Sequence, residues 1–218
     1  MAKPKLTYFP VGGRGEAIRA LCAHANFDYE DNRVSRDEFQ PLKDSGYSPM
    51  GGVPIWDEDG FVMCQGNSIM RMLGIRLGYY TSDPQQAYEI DSLMDYAEDI
   101  QTKFGQFLFP VYFGKPPGDE QVFLENFWDR HIAVVGGRLK GHGHRFVAGT
   151  DKPTIADFKM FATVSIGLAE CNSGCGVPEE TGQKIQAKIA AVPEYAAWVQ
   201  AMKAELQPWL DRRPAHPL

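Results

Sequence analysis

Tyr8 closes a short apolar run, Leu6-Thr7-Tyr8-Phe9, just before Gly12-Gly13-Arg14-Gly15. A phenol at a strand tip either donates to an anion or packs into a core, and residue type alone leaves both open. Arg14 and Lys43 are the candidate cations to accompany it, each readable as an anion partner or as plain surface charge. Pro54 follows Gly51-Gly52-Val53. Proline cannot donate into a central ladder, so it belongs at a strand edge or in a cis turn. A cis bond would turn the Val53 N–H and C=O outward as an unpaired edge for an extended peptide; the alternative is an ordinary trans proline at a strand start. Gln65-Gly66-Asn67-Ser68 lies at a strand-to-helix junction. Free N–H groups and the positive dipole end suit a carboxylate there, unless Asn67 or Ser68 simply caps the helix.

Other chemistries fit poorly. In the run from Gly13 to Ile18 an isoleucine stands where the dinucleotide fingerprint needs its last small residue, and the Lys-Ser/Thr end of a phosphate loop is missing. Cys22, Cys64, Cys171 and Cys175 are too sparse for a disulfide scaffold. Cys171 and Cys175 would need two further ligands to hold zinc, and His142 and His144 lie some thirty residues upstream, so no metal is expected. The chain has 22 Lys and Arg against 28 Asp and Glu, a net charge of −6. That balance lacks the basic face of a nucleic-acid binder. The N-terminal Met-Ala-Lys-Pro-Lys-Leu-Thr-Tyr has no apolar secretory core, and no run is long and apolar enough to span a bilayer. The expectation is a reduced, cytoplasmic protein with neither membrane nor nucleic-acid partner.

The elements that must position these residues can be read from periodicity. Leu6–Phe9 and Tyr29–Val34 read as strands, with a helix from Ala17 between them and a short helix over Asp37–Lys43 after them. Val53-Pro54-Ile55-Trp56 and Phe61-Val62-Met63 flank Asp57-Glu58-Asp59-Gly60, a hairpin turn. A helix then runs from Gln65 to near Gly78. Residues 81–84 read as a linker in which Ser82 or Asp83 caps and Pro84 opens a helix. Beyond it only helical spacing recurs: Ala87 to Phe104, Val122 to Leu139 with Gly136-Gly137 as a weak point, a helix opened by Thr154-Ile155-Ala156-Asp157, and two more over Gln183–Ala191 and Glu194–Leu206. The fold class expected is α/β plus all-α, with domains at 1–80 and 85–218.

In this order the features resemble the cytosolic glutathione S-transferase family over essentially the whole chain. The most specific stretches are Lys5-Leu6-Thr7-Tyr8-Phe9-Pro10, Gly13 to Arg19, Gly52-Val53-Pro54, Gln65 to Ile69 and Thr154 to Phe158. Tyr8 is similar to the catalytic residue of the tyrosine classes, and the Phe39–Lys43 spacing with the Trp198 to Pro214 ending looks most like sigma class. The resemblance implies an N-terminal thioredoxin-like domain that binds glutathione, followed by a helical-bundle domain. It implies a homodimer that conjugates glutathione, as substrate, to small hydrophobic electrophiles. Narrower or rival relatives are glutathione-dependent isomerases of the prostaglandin D synthase type and non-catalytic S-crystallins.

Residue roles follow from the same resemblance. Tyr8 would donate to the glutathione sulfur, with Arg14 supporting it. Val53, across a cis bond to Pro54, would pair with the cysteinyl unit. Gln65 and the Gly66 N–H would hold the γ-glutamyl carboxylate, and Lys43 the glycyl one. Asp95 would reach the partner subunit's γ-glutamyl ammonium. Phe9, Val11, Phe104, Phe107 and Leu108 would wall the electrophile site, with interdomain core as the alternative for the α-helical aromatics, Phe109, Tyr112 and Phe113 included. Three departures stand out: Gly66 where the family carries Ser, Phe39 where it carries Trp, and a longer Asp44–Gly52 segment ending in Gly52 rather than Lys or Gln. Each is expected to weaken glutathione binding without touching the sulfur.

Overall fold

The computed structural model describes residues 2–112, 114–165 and 177–214. Cys171, Cys175 and Phe113, and the side chains of Phe109 and Tyr112, lie outside the described residues. Four short strands, β1 (Lys5–Tyr8), β2 (Glu30–Arg33), β3 (Ile55–Glu58) and β4 (Phe61–Cys64), form one sheet in the order β2-β1-β3-β4. β1 runs parallel to β2 and antiparallel to β3, and β4 is antiparallel to β3. The parallel pair needs a crossover, supplied by helix α1 (Glu16–His24). The β3–β4 hairpin turns on Asp59 and Gly60, both left-handed, with φ of 51° and 84°.

Helix α2 (Arg36–Asp44) starts on a full capping box: Ser35 Oγ accepts the Glu38 N–H, and the Glu38 carboxylate accepts the Ser35 N–H. Helix α3 (Gly66–Leu77) ends where Gly78 turns left-handed. Asp83 Oδ1 then accepts the Gln86 N–H at 2.7 Å, and Pro84 opens the long helix α4 (Pro84–Tyr112). The expected helix from Val122 is split. Val122–Asp129 winds as a π-helix and α5 (Arg130–His142) continues it. Rings of the π-helix pack on α4 and on each other: Phe123 stacks on Phe107 with centroids 3.9 Å apart and on Phe127 at 5.4 Å. Gly136 is no weak point. A Cβ there would lie 2.7 Å from Val192 Cγ1, so the glycine permits close packing.

Helices α6 (Ile155–Ser165), α7 (Glu179–Ala190) and α8 (Pro193–Leu210) complete the described part. The thioredoxin-like sheet-and-helix unit and the all-helical remainder are both present, as the fold class required. They share one apolar cluster running from Leu6 to Leu206, with α1 packed on α3, α6 and α8 and with α6 packed on α4. No helix among the described residues is long and apolar enough to cross a membrane.

Asp157 anchors the start of α6 inside this cluster, with no exposed surface. Its carboxylate accepts the N–H groups of Val147 (2.9 Å) and Thr154 (2.8 Å), the Thr154 hydroxyl (3.0 Å) and Trp198 Nε1–H (3.0 Å). Burial pushes the carboxyl pKa up, and these donors pull it back toward the charged form they require. Asp157→Ala would strand three buried N–H groups at once. We expect a loss of about 3 kcal/mol or more, read as a lower urea midpoint at unchanged m-value; a loss under about 1 kcal/mol would show that water replaces the carboxylate.

Candidate active site

The site is built around the end of β1. Tyr8 is buried, 7% exposed, and its Oη accepts the Arg14 backbone N–H at 2.8 Å. That bond takes one lone pair and leaves the phenolic proton to be donated elsewhere. Burial raises the phenol's pKa, while the Arg14 bond and the Arg14 and Arg19 charges oppose it, so the group keeps its proton at neutral pH. The Gly13–Gly15 turn lies directly against the ring. A Cβ on Gly13, whose φ is +43°, would stand 2.5 Å from Tyr8 Oη, and one on Gly15 would stand 2.6 Å from Tyr8 Cδ1. Arg19 holds the other side, its guanidinium 5.6 Å from the ring centroid. It donates to Phe9 O (3.2 Å) and Val11 O (2.8 Å) while pairing with Asp31 and Glu16.

A cavity beside this turn is lined by Arg14, Met50, Gly52, Val53, Pro54, Cys64, Gln65, Gly66, Asn67 and Glu98. The Val53–Pro54 bond is cis, and Val53 lies ahead of the first paired residue of β3. Gln65 takes φ 73° and ψ 106°, a left-handed backbone costing a non-glycine residue about 1–3 kcal/mol. No side chain caps α3, so neither Asn67 nor Ser68 fills that role. The first N–H groups of the helix are left for a ligand. Asn67 instead donates to Met94 O (3.2 Å) and Asp95 Oδ1 (3.3 Å), tying α3 to α4. Ser48 Oγ pins the preceding loop, accepting from Gly52 N at 2.9 Å and donating to Gly52 O at 2.6 Å.

Of the residues expected at the site, the cavity brings together Arg14, Gly52, Val53, Pro54, Gln65 and Gly66, with Tyr8 joined through Arg14. Phe39 lies off the cavity wall, its ring edge-on to Phe9 at 5.8 Å. Lys43 is exposed at the end of α2 and makes no ion pair among the described residues. Asp95 is exposed on α4, with Arg71 3.5 Å away. Phe9 and Val11 are half-buried. Phe104, Phe107 and Leu108 are buried within the helical core, Phe104 and Phe107 against Phe123. Cys22 is buried, its thiol pushed up to about 12 by desolvation. No group of metal-ligating side chains occurs among the described residues.

Sequence reasoning missed Met50, Cys64 and Glu98. Met50 accepts from Gln65 Nε2 through its sulfur at 3.4 Å. Glu98 bonds Arg14 Nε and accepts from Lys159 Nζ at 2.9 Å. A signal for Glu98 existed. Asp95, Glu98 and Thr102 recur at three and four and so share one face of α4, away from its apolar stripe.

No protein-family model matches the sequence. Individual relatives do. The chain is 30% identical over 221 residues to a probable glutathione S-transferase 8 of Caenorhabditis elegans, covering 98% of each. Its fold is similar to that of a nematode-specific glutathione S-transferase of C. elegans, at 26% identity, full coverage of both chains and a TM-score of 0.77. It is also similar to a monomeric glutathione S-transferase of the hookworm Necator americanus, at 26% identity, 98% coverage of both and a TM-score of 0.79. Likeness of this identity over the full length, with the same sheet-and-bundle fold, establishes that the chain belongs to the glutathione S-transferase family.

Proposed function

We propose that the protein is a glutathione transferase in which Tyr8 activates the thiol of bound glutathione toward small hydrophobic electrophiles. One observation carries the reading: a buried, protonated phenol whose oxygen is already fixed by the Arg14 N–H, so that its own proton is free for a neighbouring anion. An unperturbed thiol has a pKa near 8.5, so only about 3% is thiolate at pH 7. Lowering that pKa by about two units needs about 2.7 kcal/mol of preferential stabilisation of the anion. A preorganised donor supplies effects of this size. The thiolate attacks the electrophilic carbon, the leaving group departs with its electron pair, and the thiol proton goes to solvent.

The other groups bind and orient. In this reading the Val53 backbone pairs with the cysteinyl unit, while Gln65, the Gly66 N–H and the open start of α3 hold the γ-glutamyl carboxylate. Lys43 reaches the glycyl carboxylate. Phe9 and Val11 form the electrophile wall, because Phe104, Phe107 and Leu108 are committed to the core. Asp95 serves the ammonium of glutathione in a second subunit, which makes the protein a homodimer; the family resemblance suggests that it acts in the cytoplasm.

Tyr8→Phe keeps the ring and removes the donor. The pKa of bound glutathione should rise by about one to two units, and conjugation near pH 6.5 should fall about 10- to 100-fold, partly recovering at higher pH. Thiolate absorbance near 240 nm against pH, with glutathione saturating, measures this. Identical midpoints in the two proteins would make Tyr8 a core tyrosine.

A Cβ on Gly66 would meet Arg14 O and Pro54 Cγ at 3.6 Å, ordinary contact, so serine fits without rearrangement. Gly66→Ser should tighten S-hexylglutathione binding by up to about 1 kcal/mol through one added hydroxyl bond. Weaker binding in calorimetry would contradict the carboxylate assignment.

The dimer is tested separately. Sedimentation should show a species of twice 24.3 kDa at micromolar concentration. Asp95→Asn should weaken S-hexylglutathione binding several-fold at unchanged melting temperature, because Asp95 is 73% exposed. A monomer, or unaltered affinity in the variant, removes Asp95 from the site.

A further inference from the structure

Lys159 stands where an apolar residue belongs. Its neighbours on α6, Phe158, Met160 and Phe161, are all core residues, and Lys159 itself is only 3% exposed. Withdrawing an ammonium from water costs several kcal/mol unless it is well paired. Its partners are both on α4: Glu98 Oε2 at 2.9 Å and Gln101 Oε1 at 3.2 Å. Glu98 is therefore a two-sided bridge. One carboxylate oxygen faces Lys159 and the other takes Arg14 Nε, while Arg14 also reaches Thr102 Oγ1 at 3.5 Å. Arg14 is the one residue of the Gly12–Gly15 turn with a side chain, and its backbone N–H is the one that fixes Tyr8 Oη. The turn is closed at its base by the Glu16 N–H on Gly12 O at 3.1 Å, and toward α4 it is the Arg14 guanidinium that ties it down.

We propose that Lys159 is a positioning residue for the transferase reaction: its ammonium holds the Glu98 carboxylate where it captures Arg14, and so holds in place the N–H that orients the Tyr8 phenol. The proposal rests on the reading of Tyr8 as donor to the glutathione sulfur. The charged groups facing that phenol are Arg14 from the turn, Arg19 from α1 and Glu98 from α4, with Lys159 from α6 behind Glu98. Arg19 is already tied to Glu16 and Asp31 and needs no help from Lys159. Although burial works against its charge, the Lys159 and Arg14 cations keep the Glu98 carboxyl below its ordinary range; burial pulls the Lys159 ammonium down in turn, and the Glu98 carboxylate opposes that loss of charge. Lys159 lines no part of the cavity, so it acts through Glu98.

Positioning and a simple charge effect differ in sign. If the cluster acts only through its field, removing the positive charge of Lys159 disfavours the thiolate and removing the negative charge of Glu98 favours it. If it acts by holding the turn, either loss loosens the Arg14 N–H and both disfavour the thiolate. The experiment is the pH profile of kcat/KM with 1-chloro-2,4-dinitrobenzene for wild type, Lys159→Met and Glu98→Gln, each with a thermal melt. In both variants the acid limb should move up by about half to one pH unit. Activity at pH 6.5 should fall about 3- to 10-fold and return above pH 8.5, with KM for glutathione little changed. Shifts in opposite directions would overturn the proposal, and so would unmoved profiles with lowered melting temperatures, which would leave Lys159 a packing residue. Glu98 is 37% exposed, and the amide oxygen of its replacement, with Gln101 Oε1, still leaves acceptors for Lys159 Nζ, so Glu98→Gln, checked by its melt, carries the sign test even where Lys159→Met does not fold. A wild type that neither conjugates nor binds S-hexylglutathione would instead sink the transferase reading itself.

Discussion

The hydrogen bond from the Arg14 N–H to Tyr8 Oη is the constraint around which the N-terminal half is arranged. A phenol that must donate to a ligand has to have its oxygen held by something other than the ligand, and a backbone N–H does this without a titrating side chain. Bringing backbone that close to a ring leaves no room for side chains: Cβ atoms at 13 and 15 would stand 2.5 and 2.6 Å from Tyr8. The glycines are thus a steric consequence of the tyrosine. Arg19 completes the arrangement, drawing the Phe9 and Val11 carbonyls back toward α1 so that the chain leaves β1 without moving the ring.

Much of this was legible in the sequence, because much of it is local. Glycines after Tyr8, proline after Val53 and an apolar run after Gln65 describe turns and helix starts that short-range sterics decide. Long-range bridges have no such signature. Nothing in the spacing of Glu98 and Lys159, 61 residues apart, announces a contact between α4 and α6. The aromatic residues of α4 were ambiguous for a different reason. A stripe at three and four has the same period whether it meets a core or a cleft, and only the partner helix, here the π-wound segment carrying Phe123, decides it. The π-winding of Val122–Asp129 has no signature in the apolar spacing, which reads as an ordinary helix.

Gln65 shows how the fold and the site draw on one another. Its left-handed backbone is unfavourable, and the helix it opens has no side-chain cap. Both are defects by the standards of an isolated helix. They persist because α3 buries Ile69, Met70 and Leu73 in the shared cluster and is tied to α4 through Asn67. The helix therefore does not depend on its first turn for stability, which leaves that turn's N–H groups available.

Charge around the site is more nearly compensated than the residue types suggest. Arg14 and Lys159 share Glu98, and Arg19 has Glu16 and Asp31. The guanidiniums thus hold protein against protein rather than drawing in anions. Among the described residues, the dipole end of α3 at the cavity and the exposed ammonium of Lys43 at the close of α2 lack such a partner. The glutathione proposed for this site, with two separated carboxylates, would answer that pattern, largely through backbone. A backbone N–H is the same in glycine as in serine. In the proposed reading the chain can therefore carry Gly66 in place of the family's serine and keep the N–H donor, losing only the hydroxyl.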